Sequence, residues 1–124
     1  MQEAEAAAQG LRLHYQLIDL DATGQGVEAL PGLVAAARTM GFAGLNITYP
    51  CKQAVIPLLD DLSDEARAMG AVNTVVFSRS GAGKGKAARA VGHNTDGSGW
   101  RWGFERTLPK ADLTRVVLLG AGGA

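Results

Sequence analysis

The sequence predicts an α/β fold with three layers, in which helices cover a largely parallel sheet. Segments of apolar and β-branched residues alternate along the chain with segments whose apolar residues recur at helical spacing. In addition, the run 116–119 is apolar throughout, as is typical of a parallel strand buried on both faces. Alternating strands and helices indicate a parallel sheet because each helix provides the crossover between two strands.

The first third of the chain is predicted to contain a helix, a strand and a second helix. Residues 1–9 are rich in Ala, Glu and Gln, which favour a helix. Apolar and polar residues alternate over 13–18, and this alternation predicts a strand. Over 27–40 the apolar residues recur on one helical face, and Gly41 follows where a left-handed helix end is expected.

The middle of the chain combines a short strand with two helical segments. The strand is predicted at 44–48, and the first helical segment begins at Pro50. Pro57 should divide that segment, because an internal proline removes a helical hydrogen bond. Ser63 precedes two acidic residues and predicts the capped start of a helix that runs to Met69.

Two further strands and a helix are predicted in the following residues. The strands occupy 72–77 and 89–93, and the glycine-rich, basic stretch between them predicts an exposed, hairpin-like loop. That stretch lacks the spacing and the Ser or Thr of a phosphate-binding loop. A helix is predicted over 96–107, and we expect its Trp100 and Phe104 to lie in the core.

Length, charge and cysteine content exclude several classes of protein. The 124 residues suffice for one compact domain. Twelve Lys and Arg residues balance twelve Asp and Glu residues, which argues against a dedicated nucleic-acid or membrane-surface binder. Cys51 is the single cysteine, so no intrachain disulfide can form, and the first residues lack the pattern of a signal peptide. We therefore expect a cytoplasmic protein.

Polar side chains of four chemical kinds stand where predicted strands give way to helices or turns. Thr48 and Lys52 flank the start of a helical segment. Asn73 begins a strand, and Asp96 begins a helix. Singly, each has an ordinary explanation as a turn residue, a first-turn acid or a solvated charge. Together they predict a small-molecule site, because such junctions line the ligand crevice in open α/β sheets.

The predicted strand at 116–119 leads directly into a glycine-rich segment. A buried strand followed by Gly-x-Gly-Gly-Ala matches the opening of a dinucleotide-binding fingerprint, in which the glycines let the backbone approach a pyrophosphate. A plain glycine-rich turn is the alternative explanation. Neither histidine, His14 or His93, has a second ligand at metal-binding spacing, so no metal site is predicted.

In these segments the sequence resembles the shikimate dehydrogenase family, which includes the quinate/shikimate dehydrogenases. The resemblance rests on Asn-Ile-Thr-Tyr-Pro-Cys-Lys at 46–52, Gly-Ala-Val-Asn-Thr at 70–74, Asn-Thr-Asp-Gly at 94–97 and Gly-Ala-Gly-Gly-Ala at 120–124. The blocks occur in the family's order and span nearly the whole chain. The resemblance implies a substrate-binding domain at 1–110 and the start of an NAD(P)-binding Rossmann domain at 111–124.

The resemblance also implies an activity and a set of site residues. The activity is the reversible NAD(P)-linked reduction of 3-dehydroshikimate to shikimate, or quinate oxidation, in aromatic amino-acid biosynthesis. Lys52 is implied as the catalytic lysine and Asp96 as its acidic partner. Substrate contacts are implied for Thr48, Lys52, Asn73 and Asp96, and the loop for NADP or NAD is implied to begin with Gly120, Ala121, Gly122, Gly123 and Ala124. Three alternatives stay open: shikimate or quinate as the substrate, NAD or NADP as the cofactor, and Lys52 or Asp96 as the residue that moves the proton.

The sequence departs from the family pattern at its start. Family members begin with a strand and a Ser-x-Ser-Pro block that holds the substrate carboxylate, and no serine lies near the start of this chain. Most of the cofactor domain expected after the glycine-rich segment is also missing from this chain. We therefore expect the chain alone to be inactive, and a non-catalytic binding or interaction remnant of the same fold is the alternative. The exposed edge of the strand at 116–119 is expected to cause self-association. Cys51, next to Lys52 at a predicted helix start, is expected to be a reactive thiol.

Overall fold

A computed structural model describes residues 1–78, 88–117 and 119, and it confirms the α/β class. The helices of these residues are α1 (Gln2–Ala8), α2 (Leu30–Met40), α3 (Cys51–Ala54), α4 (Asp64–Met69) and α5 (Asp96–Thr107). The strands are β1 (Gly44–Asn46), β2 (Asp61–Leu62), β3 (Thr74–Ser78) and β4 (Arg89–His93). Within the described ranges, no helix has the length and apolar character needed to cross a membrane.

The sheet of the described residues is mostly antiparallel, so the predicted largely parallel sheet is wrong. Its strand order is β1-β3-β4-β2, and β3 pairs antiparallel with both β1 and β4. The pairing of β2 with β4 is parallel. The connection from β3 to β4 covers only 79–88, whereas a parallel crossover needs about a dozen residues or more. Strand composition alone carries no information about direction, and β2 was not predicted.

The helix at the centre of the first half packs as its periodicity predicts. Helix α2 is preceded by a single 3₁₀ turn, Val27–Ala29, and buries Leu30, Val34 and Ala37 on one face. These side chains join a core cluster whose fully buried members include Val55 and Val75. The core therefore lies where α2, the segment after α3 and the sheet meet, and it supports the ends of β1 and β3.

The predicted helix ends are confirmed at three positions. Gly41 ends α2 with a φ of 80°, a left-handed conformation that glycine adopts without steric cost. Ser63 Oγ accepts a hydrogen bond from the Ala66 backbone N–H at 3.2 Å and so caps α4. Pro57 lies in a separate 3₁₀ turn, Ile56–Leu58, which divides the segment as expected.

Three predictions based on apolar patterns are wrong for the described residues. The segment 13–18 forms no strand, because no described neighbour supplies the hydrogen bonds of a ladder. Trp100 is 70% exposed rather than in the core, and α5 buries none of its residues. Val117, 84% exposed, likewise belongs to no strand. The loop at 79–87, Leu118 and the glycine-rich segment 120–124 lie outside the described residues.

Gly92 occupies a position in β4 that has no room for a side chain. A Cβ there would lie 2.6 Å from Leu59 Cδ1 and 2.8 Å from both Leu62 Cδ2 and Val72 Cγ2. We expect Gly92→Ala to lower the free energy of unfolding by about 1–3 kcal/mol, because the added methyl overpacks the core. Urea denaturation measures this change.

Gly99→Ala is the matched control for Gly92→Ala. A Cβ at Gly99 meets nothing within 4 Å, and Gly99 lies inside α5. Alanine is preferred over glycine in a helix by about 1 kcal/mol, so this variant should be as stable as wild type or more stable. A Gly92→Ala variant with wild-type stability would show that the side chains around Gly92 move apart freely.

Candidate active site

Three chain segments meet at the end of the sheet and bring the predicted polar residues together. The Lys52 carbonyl accepts a hydrogen bond from the Val72 N–H at 2.8 Å, which ties α3 to the turn before β3. The Asn73 N–H donates to the His93 carbonyl at 3.0 Å, which ties that turn to the end of β4. The first turn of α5 follows directly, so Lys52, Asn73 and Asp96 come within reach of one another.

Asp96 stands at the centre of this site. Lys52 Nζ donates to Asp96 Oδ2 at 2.7 Å, and Asn73 Nδ2 donates to Asp96 Oδ1 at 2.8 Å. Each carboxylate oxygen therefore has a donor of its own. The Lys52 side chain is 21% exposed and that of Asp96 is 46% exposed, so a small molecule can reach the pair from solvent.

The environment of Asp96 favours its ionised form. The hydrogen bond from Lys52, and next the hydrogen bond from Asn73, lower the pKa of Asp96 below its ordinary value, and desolvation opposes them. Because the folded-state pKa is depressed, this pairing stabilises the fold above the ordinary carboxyl pKa and is lost as the pH falls through the depressed value. The contribution is small, since the pair is partly exposed and screened by solvent.

Asn73 uses both ends of its amide to join the turn before β3 to the start of α5. Besides the bond to Asp96, its Nδ2 donates to Thr95 Oγ1 at 3.0 Å. Its Oδ1 accepts from Thr74 Oγ1 at 2.9 Å and from the Thr95 N–H at 3.2 Å. These contacts fix which end of the amide faces the carboxylate.

Thr48 stands apart from the three residues that form this hydrogen-bonded cluster. It lies just after β1, and its carbonyl accepts from the Cys51 N–H at 2.8 Å at the start of α3. With Tyr49 and Pro50 it lines one end of a groove of about 340 Å³ that also borders α2 and 17–21. The groove thus begins immediately beside the segment that carries Lys52. The residues predicted to bind a cofactor, 120–124, lie outside the described part of the chain.

Asn94 is a further residue of the site, and the sequence prediction gave it no role. It is 2% exposed, its Nδ2 donates to the Ala71 carbonyl at 3.0 Å, and its Oδ1 accepts from the Asp96 N–H at 2.9 Å. An asparagine two residues before a helix start is a signal for this turn, in which the side chain accepts from the backbone two residues on. Asn94, two residues before Asp96, is such a signal in this sequence.

Cys51 is buried, and the expectation of a reactive thiol is wrong. The residue is 7% exposed and belongs to the core cluster, and burial raises its pKa. Helix α3 has only four residues, so its dipole is short and desolvation outweighs it. Among the described residues, no group of three or more His, Cys, Asp or Glu side chains is arranged to hold a metal ion.

The thiol of Cys51 is now expected to resist alkylation in the folded chain. Both its burial and its raised pKa lower the thiolate available for reaction, so iodoacetamide should modify it at least about tenfold more slowly than in the urea-unfolded chain. Mass spectrometry over time measures both rates. Equal rates in the two states would show that this part of the core opens readily.

A partly exposed lysine–aspartate pair at the end of a sheet has the make-up of an acid–base site in an α/β enzyme domain. Residues 1–75 match the family described as the shikimate dehydrogenase substrate binding domain. The chain belongs to this family, and the resemblance in its sequence blocks is thereby confirmed.

Relatives of established function are similar over the whole chain. It is 59% identical over 124 residues to a shikimate dehydrogenase (NADP(+)) of Streptomyces avermitilis, covering 100% of this chain and 40% of the relative. It is 49% identical over 123 residues to a quinate/shikimate dehydrogenase (NAD(+)) of Corynebacterium efficiens, covering 99% of this chain and 41% of the relative. The chain thus spans about two-fifths of the length of these enzymes.

Solved structures have the same fold. Quinate dehydrogenase from Corynebacterium glutamicum in complex with NAD superposes with a TM-score of 0.75 at 48% identity, covering 90% of this chain and 37% of that one. Shikimate 5-dehydrogenase from Thermus thermophilus in complex with shikimate superposes with a TM-score of 0.66 at 34% identity. That match covers 82% of this chain and 34% of the Thermus chain.

Proposed function

We propose that this chain is the substrate-binding part of an NAD(P)-dependent dehydrogenase that interconverts 3-dehydroshikimate and shikimate, or that oxidises quinate. The observation that carries the proposal is the contact of Lys52 Nζ with Asp96 Oδ2 at 2.7 Å, held by Asn73 and open to solvent. The activities of the similar enzymes support the choice of substrate class and cofactor.

The pair has the chemistry that reduction of a ketone requires. Bound NAD(P)H would supply the hydride, and the proposed start of its site is 120–124. As negative charge develops on the carbonyl oxygen, a nearby acid must deliver a proton to it. The lowered pKa of Asp96 leaves it ionised at neutral pH, so it holds no proton to give. We therefore assign the donor role to the Lys52 ammonium, which Asp96 orients; in the oxidation direction the neutral amine takes the hydroxyl proton.

The substrate contacts proposed for this site are Thr48, Lys52, Asn73 and Asp96. The Asp96 carboxylate lies within hydrogen-bond distance of both the Lys52 amine and the Asn73 amide, and a polyhydroxylated ring can bridge groups so spaced. Thr48 stands at the mouth of the adjacent groove, where a further hydroxyl or carboxylate can lie. We also propose a division into a substrate domain at 1–110 and the start of a cofactor domain at 111–124. The end of α5 at Thr107 and the exposed, irregular backbone of the described residues after it support this boundary.

A chimera tests the proposed function directly. This chain replaces the matching 124 residues of the Streptomyces avermitilis shikimate dehydrogenase, and the purified chimera is assayed with 3-dehydroshikimate and NADPH. We expect turnover by the chimera and none by the 124-residue chain alone. The reverse assay with shikimate and with quinate assigns the substrate. A chimera that binds NADPH and shikimate without turnover would refute the proposal and favour a non-catalytic binding domain.

We further propose that the isolated chain self-associates through its exposed apolar residues after α5. Val116, Val117 and Leu119 are 70%, 84% and 92% exposed, and β1 forms an open edge of the described sheet. Exposed apolar residues and an unpaired strand edge each favour association between copies. Sedimentation velocity should show a sedimentation coefficient that rises with concentration.

A charge substitution tests this surface. Val117→Lys should shift the chain towards the monomer, whereas Ala111→Lys, at an exposed position nearer α5, should leave association unchanged. Comparing the two variants separates the effect of where the charge is placed from the effect of adding a charge. Wild-type chain that sediments as a monomer at every concentration would contradict the proposal.

A further inference from the structure

Among the residues that the structure describes, Asn94 is the one polar residue that is buried. It lies beside the proposed catalytic pair, and its position there requires an explanation. At 2% exposure its amide is out of contact with water, so each end needs a protein partner. Both partners are present: the Ala71 carbonyl accepts from Nδ2 and the Asp96 N–H donates to Oδ1. A buried amide with both ends bonded to backbone holds those two backbone segments in one arrangement.

The two backbone segments that Asn94 joins are the ones that deliver Asp96 and its neutral partner. Ala71 belongs to the turn that leads to Asn73, and Asp96 is the first residue of α5. Asn94 thus links the turn to the helix start, and Asn73 reaches the Asp96 carboxylate across the same gap at 2.8 Å. Asn94 holds the backbone N–H of Asp96 itself, Asn73 holds that of Thr95, and Asn73 and Lys52 direct the Asp96 carboxylate.

Apart from Asn94, the start of α5 is held by the hydrogen bonds of Asn73 to Thr95 and Asp96 and by the bond from Lys52 to Asp96. The helix buries none of its residues, so packing against the core does not fix its first turn. Thr95, the residue before the helix, makes no side-chain capping hydrogen bond. The bond from the Asp96 N–H to Asn94 Oδ1 closes a turn of two residues and so supplies the restraint that a cap would supply elsewhere.

We propose that Asn94 is a positioning residue, whose buried amide holds Asp96 where its carboxylate meets Lys52 and Asn73. The effect of Asn94 on the position of the Asp96 carboxylate does not depend on any reaction. Only the expected effect of Asn94 on turnover rests on the proposed function. Asn94 itself contacts backbone and has no place in the proton transfer.

The ionisation of Asp96 reports on this positioning. The charged group that contacts its carboxylate is Lys52 from α3, and the partner from the turn before β3, Asn73, is neutral. Their two hydrogen bonds lower the pKa of Asp96, so a carboxylate displaced from both should titrate closer to the ordinary value. The side-chain ¹³C resonance of Asp96, followed against pH in the 124-residue chain, measures this pKa without substrate or cofactor.

Two substitutions and one control make the test. Asn94→Ala removes both hydrogen bonds and should raise the Asp96 pKa by about half a unit or more. Asn94→Ser keeps an oxygen that can accept from the Asp96 N–H but loses the donor to Ala71, so we expect a smaller rise. Val34→Ala leaves a cavity in the core beneath α2, where Val34 is 4% exposed, and should destabilise the fold without moving the Asp96 pKa.

The outcomes separate positioning from mere stability and from the proposed function. The proposal is overturned if the Asp96 pKa in the Asn94 variants stays at the wild-type value or moves no more than in Val34→Ala. If Asn94→Ala does not fold, the Asp96 pKa of Asn94→Ser decides the test. In the chimera, Asn94→Ala should lower kcat by about 10–100-fold with a smaller change in KM. An inactive chimera together with a shifted pKa would remove the proposed function and leave the positioning role intact.

Discussion

Lys52→Ala in the chimera is expected to lower kcat by about 10²-fold or more. Loss of a positioned general acid or base typically removes about 10²–10⁴-fold of rate. The Lys52 side chain is only 21% exposed and its Nζ lies 2.7 Å from Asp96 Oδ2, so bulk water replaces neither the position nor the orientation of the ammonium. Steady-state kinetics with 3-dehydroshikimate and NADPH measure the effect.

Lys110→Ala is the matched control for this lysine. Lys110 is exposed and lies after α5, away from the start of that helix, and its loss should leave kcat unchanged. If Lys52→Ala retains kcat within about threefold of the unsubstituted chimera, the assignment of Lys52 as proton donor is wrong. A rise in KM with an unchanged kcat would instead make Lys52 a substrate-binding residue alone.

Asp96→Asn is expected to change both the rate and its dependence on pH. The substitution keeps the shape of the side chain and removes the charge beside Lys52. The pKa of Asp96 is lowered first by its hydrogen bond to Lys52, so protonation of Asp96 affects the chimera only below the ordinary carboxyl range. In Asp96→Asn that acidic limb should be absent from the plot of kcat against pH.

The maximal rate of Asp96→Asn should fall as well. The carboxylate that accepts the hydrogen bond from Lys52 Nζ is replaced by a neutral amide, so the proposed proton donor is held less firmly in place. The fall in rate and the missing acidic limb are both read from one pH series of initial rates.

Asp112→Asn provides the control for a carboxylate of lowered pKa that lies elsewhere. Hydrogen bonds from the backbone and side chain of Thr114 lower the pKa of Asp112, which is exposed and makes no contact with Lys52. Its substitution should leave the dependence of kcat on pH unchanged. An unchanged pH dependence in Asp96→Asn as well would show that the ion pair has no part in turnover.

The sequence by itself determined the family and the elements whose signals are local. Periodic apolar residues predicted α2, Gly41 and Ser63 marked helix ends, and Pro57 divided a helical segment, all as the structure has them. Such signals act within one or two turns of backbone, so neighbouring residues suffice to produce them. Four ordered sequence blocks identified the family in the same way, since each block stands in a contiguous stretch of chain.

Only the tertiary structure decided which residues meet and which are buried. Strand composition predicted β3 and β4, and the hairpin-like loop predicted between them agrees with their antiparallel pairing, but the antiparallel pairing of β1 with β3 was not predicted. Cys51 proved buried and Trp100 exposed, because burial depends on which distant elements pack against a residue. Asn94 acquires its role from Ala71, which lies 23 residues away in the chain. A hydrogen bond across that separation exists only after the turn and the helix start have been brought together by β3 and β4.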